Sequence, residues 1–234
     1  MTRPARVSRA DGMLGALVVM AKAPRLGFVK TRLAGACDVV QLSECMLQDT
    51  LALARSVPGL HVAVMCPADD VATLASRLPG DVEVVGQDGR GLAAALCSAF
   101  GRFVPAFGRV MALDSDSPHL PRAVLHAAFA LLDTNDLVVG PTEDGGYYLV
   151  GASAVHLRLF DKASLGTSSA CDALRSCARE LGLSVALTEP WYDVDVPADL
   201  SRLAADLRVG PERAPRTAAF LESWSGTRDE KHAV

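Results

Sequence analysis

Short runs of Val, Leu, Ala and Met alternate along the chain with longer segments in which apolar residues return every three or four positions. Stacked β-α-β units have this rhythm, because strands buried on both faces are continuously apolar while the covering helices need only one apolar stripe. Strands are expected at 15–21, 61–66, 82–86, 109–113, 137–141, 147–150 and 184–187. Helices are expected at 38–56, 71–78, 92–103, 122–132, 169–181 and 198–207. In the first of these Val39, Leu42, Met46, Leu53 and Val57 form the stripe, and Pro58-Gly59 ends it. The expected architecture is a Rossmann-like three-layer α/β/α sandwich on a mostly parallel sheet.

No internal repeat and no linker rich in Pro, Gly or Ser divides the chain. One domain is expected over 13–207, after a flexible N-terminal arm at 1–12 that carries Arg3, Arg6 and Arg9. From 208 to 234 Arg, Pro, Glu and Thr dominate, and 226–234 is expected to be disordered. A short amphipathic stretch within this extension, with Phe220, Leu221 and Trp224, is suited to cover either the body or a second copy in a homodimer.

Composition narrows the class of partner. The chain has 234 residues, half of them hydrophobic, and a net charge of −4. A large core is affordable, wholesale disorder is excluded, and no basic footprint for nucleic acid is present. The six cysteines are scattered, with no C-x-x-C pair and no His at zinc spacing, which suits free thiols in a reducing cytoplasmic setting. The apolar run at 14–21 is well short of the roughly 20 residues that span a bilayer. Lys22, Arg25 and Lys30 follow it instead of a small-residue cleavage site. The expectation is a protein without membrane or nucleic-acid partners, acting on small molecules.

In open parallel sheets ligands bind beyond the carboxyl ends of the strands, so the loops there hold the candidate chemistry. The first loop gathers Lys22, Arg25, Lys30 and Arg32, cations able to hold a polyphosphate, although no P-loop pattern is present. Gln87 to Gly91 follows the third strand and opens a helix, a place for the nucleotide. In Asp114-Ser-Asp-Ser-Pro-His-Leu-Pro121 two carboxylates end a buried strand and call for a cation, most economically Mg²⁺ or Mn²⁺. Asp116 is the preferred ligand and the other Asp a turn former; His119 is expected on the surface. Glu143 and Asp144 are placed to accept hydrogen bonds or act as a base. Gly145 and Gly146 would admit a ligand close to the backbone, and Tyr147 would cover it. A plain hairpin with an acidic turn gives the same string. Asp193 and Asp195 alternate along an extended segment and either completes the metal site, whereas Asp199 suits the start of the last helix.

Together these elements resemble the bacterial GT-A-fold nucleotide-diphospho-sugar transferase-like glycosyltransferases of the arsenosugar-biosynthesis type. The family's A-K-x-P-x-x-G-x-V-K-T-R-L is matched at 21–33, its S-D-x-P-x-L at 115–120, its E-D-G-G-Y-Y-L-x-G at 143–151 and its D-x-D-x-P-x-D-L at 193–200. Related 2-phospho-lactate guanylyltransferases share looser versions. Ala93 and Gly145-Gly146-Tyr147 stand where those have Asn and Gly-Thr-Asn. Leu165-Gly166-Thr167 departs from the glycosyltransferases' W-S-T. The resemblance implies a metal-dependent glycosyltransferase that takes a nucleotide-diphospho-sugar and a small-molecule acceptor. The alternative it leaves open is a guanylyltransferase-like nucleotidyltransferase, using a nucleoside triphosphate and a small phosphorylated acid. It further implies that metal held by Asp116 and Asp195 neutralises the leaving phosphates, with Lys22, Lys30 and Arg32 holding the remaining charge.

Overall fold

The computed structural model describes residues 13–162 and 169–230. The arm at 1–12, the Leu165-Gly166-Thr167 departure and residues 231–234 lie outside the described residues. Seven strands form one sheet: β1 (Gly15–Met20), β2 (Leu60–Cys66), β3 (Glu83–Gly86), β4 (Val110–Leu113), β5 (Leu137–Pro141), β6 (Tyr147–Ala152) and β7 (Val185–Leu187). Their order is β3-β2-β1-β4-β6-β5-β7. All pairings are parallel except the two made by β6, which runs against β4 and β5. The mostly parallel doubly covered sheet predicted from the apolar runs is therefore present.

Eight α-helices accompany it among the described residues: α1 (Val39–Arg55), α2 (Val71–Ala75), α3 (Gly91–Phe107), α4 (Arg122–Leu131), α5 (Leu157–Lys162), α6 (Ala170–Glu180), α7 (Pro197–Val209) and α8 (Pro215–Glu230). Alternation along β1 sends Leu17 and Val19 to the face covered by α1, α2 and α4. Ala16 and Val18 face the side covered by α3, α5 and α6. Gly140 in β5 is dictated by packing: a Cβ there would lie 2.4 Å from the Tyr148 ring, so only glycine lets β6 seat that aromatic. The helix α5 was not foreseen, since six residues give too few turns for a periodic signal.

The C-terminal extension differs most from expectation. Residues 226–230, expected to be disordered, continue α8. A third apolar cluster joins Val39, Leu42 and Met46 of α1 to Leu200, Leu203 and Leu207 of α7 and to Ala218, Phe220 and Leu221 of α8. The amphipathic stretch therefore covers the body of its own chain. Asp49, buried in the middle of α1, fixes the start of α8. Its Oδ2 accepts 2.8 Å hydrogen bonds from the Thr217 amide and hydroxyl, and its Oδ1 a longer one from the Arg216 amide. These amides open α8 and have no carbonyl of their own helix to meet, so a carboxylate from another helix caps them.

The loop after β4 is locked beneath the segment after β7, and this lock sets the geometry of the sheet's carboxyl end. The Val194 amide donates to the Asp116 carbonyl at 3.1 Å. Ser117 Oγ stands 3.0 Å from both the Tyr192 carbonyl and the Asp193 carboxylate. His119, expected at the surface, is instead completely buried. Its ring lies 4.6 Å from that of Tyr192 and 5.1 Å from that of Trp191, and neither of its nitrogens has a hydrogen-bond partner among the described residues. Two apolar residues, Leu120 and Trp191, flank the same seam, so His119 serves as a packing ring. Burial, and secondarily the positive charge of Arg213, holds its pKa down to about 4.

Asp49→Ala strands the α8 amides and should lower unfolding free energy by about 3 kcal/mol in chemical denaturation, and a chain ended before α8, which also loses the apolar cover of Phe220 and Leu221, should lose more. For His119 the native pKa lies below the unfolded value near 6.5, so the unfolded state binds the proton first and stability drops as pH falls from about 6.5 to about 4. His119→Phe should remove that component. Its stability relative to wild type should rise by about 3 kcal/mol between pH 7 and pH 4, measured by urea unfolding at each pH.

Candidate active site

Four of the strand-end loops converge at the carboxyl end of β1 and β4. Lys30 is the centre. Its ammonium contacts Asp116 Oδ1 at 2.6 Å, the Val194 carbonyl at 2.7 Å and Asp195 Oδ1 at 3.2 Å. The loops after β1, β4 and β7 are thus tied by one nitrogen. The Lys30 side chain is only 6% exposed, whereas the two carboxylates are 39% and 43% exposed. Burial alone would lower the lysine's pKa, but Asp116 and Asp195 outweigh it and the net shift is upward, so the cation persists. The backbone of Lys30 is left-handed, with φ of 44°, the one described non-glycine residue at positive φ. Such a conformation is held by surroundings and not by residue preference.

The remaining cations divide. Arg32 is exposed, with Nη1 at 4.0 Å from Asp195 Oδ2, and its charge is felt by Asp144. Lys22 is exposed on the same loop. Arg25 is engaged elsewhere: it pairs with buried Asp70 and lies 4.9 Å over the Phe28 ring. Asp70 also accepts from the Ala23 amide at 2.9 Å, so this pair shapes the loop's entry. Gln87 folds back on its own turn and donates to the carbonyls of Gly89 and Gly91, the latter with φ of 85° at the mouth of α3.

Among the carboxylates, Asp114 is the turn former. Its Oδ1 accepts from the Asp116 amide at 3.0 Å. Asp114 and Asp193 stand close enough for each to feel the other's charge. Burial, then the charges of Asp193 and Asp116, drives the Asp114 carboxyl well above its ordinary range; burial and Asp116 push Asp193 up to about 6. Asp193 therefore faces Ser117 and Asp114, while Asp195 faces Lys30. The two carboxylates thus have different neighbours, although the alternation along the segment placed both on one side. Asp199 caps α7, accepting from the amides of Asp195 and Val196.

The β5–β6 hairpin supplies the far wall. Gly145 has φ of 90°, and a Cβ on Gly146 would stand 2.8 Å from Thr142 Oγ1, so both glycines are needed by the turn itself. Asp144 accepts from the Thr142 hydroxyl and the Gly146 amide, which lowers its pKa. Glu143 is clamped by Arg202, whose two terminal nitrogens reach its two oxygens at 2.6 and 2.9 Å. That pairing, more than anything else, holds the Glu143 carboxyl below its ordinary range. A carboxylate so engaged is a poor proton acceptor. Tyr147 does not stand over the cleft; its hydroxyl is buried without a partner among the described residues, and its ring packs on the α3 side of the sheet.

Arg202 itself escaped the sequence reading. It stacks 3.8 Å above the Tyr192 ring, and Tyr192 is anchored through its hydroxyl to Asp206 at 2.6 Å. Arg202 and Glu143 are 59 positions apart, so no local spacing joins them. Asp70, Ser117 and the Val194 carbonyl were also missed, because their roles exist only once the loops meet.

The donor set bears on metal binding. Among the described residues no three His, Cys, Asp or Glu side chains are arranged to hold a metal ion by themselves. Asp116 and Asp195 are nonetheless hard oxygen donors already converged on one cation, and Mg²⁺ or Mn²⁺ sites need only one or two carboxylates when phosphates supply the rest. The residues fit an ion of that kind shared with a ligand.

Solved structures share this fold. A candidate nucleotide-diphospho-sugar transferase from Desulfovibrio desulfuricans G20 superposes with a TM-score of 0.84 at 25% identity, over 92% of this chain and 96% of its own. Rv0371c from Mycobacterium tuberculosis H37Rv, solved in complex with manganese, gives 0.53 at 20% identity over 82% of this chain and 98% of its own. The 4-diphosphocytidyl-2C-methyl-D-erythritol synthase of Anaerococcus prevotii DSM 20548 gives 0.55 at 12% identity over 83% and 96%. At these lower identities the likeness is one of fold. Comparison of the sequence with curated proteins returned no match. Residues 38–167, more than half the chain, match the bacterial family described as "Uncharacterized protein conserved in bacteria (DUF2064)", and the chain belongs to that family.

Proposed function

We propose that the protein is a transferase that uses a nucleotide-diphospho-sugar as donor, with a divalent cation, and passes the sugar to a small-molecule acceptor. The observation that carries the reading is the buried Lys30 ammonium set between Asp116 and Asp195 at the carboxyl ends of β1 and β4. A cleft with cations and carboxylates interleaved at that place suits a diphosphate bridged to a metal. The full-length similarity to the Desulfovibrio protein supports the nucleotide sugar as donor, and the manganese complex of the Mycobacterium neighbour supports the ion.

In this reading Asp116 and Asp195 hold Mg²⁺ or Mn²⁺, which would neutralise charge on the departing phosphates. Lys30 and Arg32 bind phosphate oxygens, and Lys22 adds to the positive field at the entrance. Arg25 acts through the loop it braces against Asp70. The turn from Gln87 to Gly91 offers backbone groups at the start of α3 to the nucleoside. Asp144 has one carboxylate oxygen outside the turn bonds, available to a sugar hydroxyl, while Glu143 holds Arg202 against that wall. Gly145 and Gly146 keep that wall low. Asp193 supports the metal side by fixing the loop through Ser117.

The state of Glu143 favours a second reading. With both oxygens on Arg202, it offers no free base to an acceptor hydroxyl. A nucleotidyl transfer to a phosphate or carboxylate would need none, because such an acceptor is already ionised.

A thermal-shift panel separates the two. UDP-, GDP- and dTDP-sugars are compared with GTP and CTP, each with and without Mn²⁺. Stabilisation by a nucleotide sugar with Mn²⁺ that exceeds the stabilisation by either triphosphate is expected; pyrophosphate release from GTP or CTP in the presence of a phosphorylated acid would replace the first reading by the second. Asp116→Ala should reduce metal-dependent nucleotide affinity at least about 100-fold while circular dichroism stays native, corresponding to about 3 kcal/mol. Undiminished affinity would remove Asp116 from the site.

A further inference from the structure

We infer that Lys30 occupies the divalent-cation position in the nucleotide-free protein, so that metal binds tightly only when nucleotide phosphates draw the ammonium away. The inference rests on the metal-bridged phosphate reading above and adds an order and a coupling to it.

The geometry is that of an internal counter-ion. A lysine ammonium has three donors and no acceptor. Here three oxygens stand around it, from Asp116, Asp195 and the Val194 carbonyl, at 2.6, 3.2 and 2.7 Å. Its hydrogen-bonding capacity is filled within the protein, and the side chain is almost wholly enclosed. The oxygens it holds are the two carboxylates best placed to bind an ion. Mg²⁺ or Mn²⁺ approaches carboxylate oxygen to about 2.0–2.2 Å, nearer than any N–O contact here, and cannot share those oxygens with an ammonium in its present position without close repulsion. The left-handed backbone of Lys30 agrees with a residue kept in place by these contacts.

Phosphate oxygens reverse the balance. They give the ammonium an alternative anionic partner and release Asp116 and Asp195 to the metal, so the charges exchange partners. Arg32, exposed and 4.0 Å from Asp195, stands ready to meet the same phosphates. Coupling of this kind is reciprocal: whatever factor the nucleotide adds to metal affinity, the metal adds to nucleotide affinity.

The test uses Mn²⁺ alone, titrated into nucleotide-free protein and followed by the electron paramagnetic resonance signal of the free ion, with CTP added in a parallel series. Lys30→Met and Lys30→Gln should bind Mn²⁺ at least tenfold more tightly than wild type, whereas Lys30→Arg, which keeps the charge, should stay within about threefold of it. Wild type should gain at least tenfold with CTP, and the neutral variants should lose most of that gain. Equal Mn²⁺ affinity of wild type and the neutral variants overturns the inference and leaves the metal reading standing. Tight binding by nucleotide-free wild type, with Kd below about 10 μM, overturns it without reference to any variant's folding. Absence of Mn²⁺ binding in every form, with or without CTP, overturns both.

Discussion

The buried ammonium of Lys30 is the constraint on which the functional end of the molecule depends. Two segments that are distant in sequence carry its partners, and each would repel or drift without it: Asp116 and Asp195 bring two negative charges to one place, and the Val194 carbonyl needs a donor. A buried pair of this kind adds little net stability, since desolvation offsets the Coulomb gain, but it specifies geometry strongly because breaking it leaves a charge unpaired. The parallel sheet supplies the frame. It delivers β1 and β4 side by side, so the loops that leave their carboxyl ends have no other direction in which to go.

Around that centre the structure separates chemistry from support. Ser117, His119 and Tyr192 form the seam between the loop after β4 and the segment before α7, and Asp199 starts that helix. Arg202, one turn further on, reaches back over Tyr192 to hold Glu143. The hairpin and the loop after β4 are thereby connected through α7, which is packed in turn on α1 and α8 by the third apolar cluster. The C-terminal helix is therefore continuous with the support of the site, and Asp49 shows how firmly it is attached.

The fold was legible in the chain because its signals are local. Runs such as 15–20 and 137–141 are apolar on both faces and short, and the stripe in α1 spans four turns. The antiparallel direction of β6 has no comparable signal; it follows from the tight turn at Gly145, which also reads as a site loop. The candidate residues were largely legible too, since charge at a strand end is conspicuous. Their partners were not. Lys30 finds Asp195 across 165 positions and Asp49 finds Thr217 across 168, and nothing in the spacing of either residue announces the other. His119 was misplaced for the related reason that its burial is created by Trp191 and Tyr192, which arrive from the other end of the chain. Tyr147 looked like a cover for ligand, but the alternation of β6 turns it into the core.

Central to the proposed function is a meeting of metal and nucleotide phosphate between Asp116, Asp195 and Lys30. A crystal grown with Mn²⁺ and a nucleoside diphosphate, with anomalous diffraction recorded at the manganese edge, tests it directly. An anomalous peak bonded to carboxylate oxygens of Asp116 or Asp195 is expected, with the Lys30 ammonium transferred to a phosphate oxygen. Manganese or phosphate located elsewhere, with Lys30 still seated on both aspartates, would contradict it.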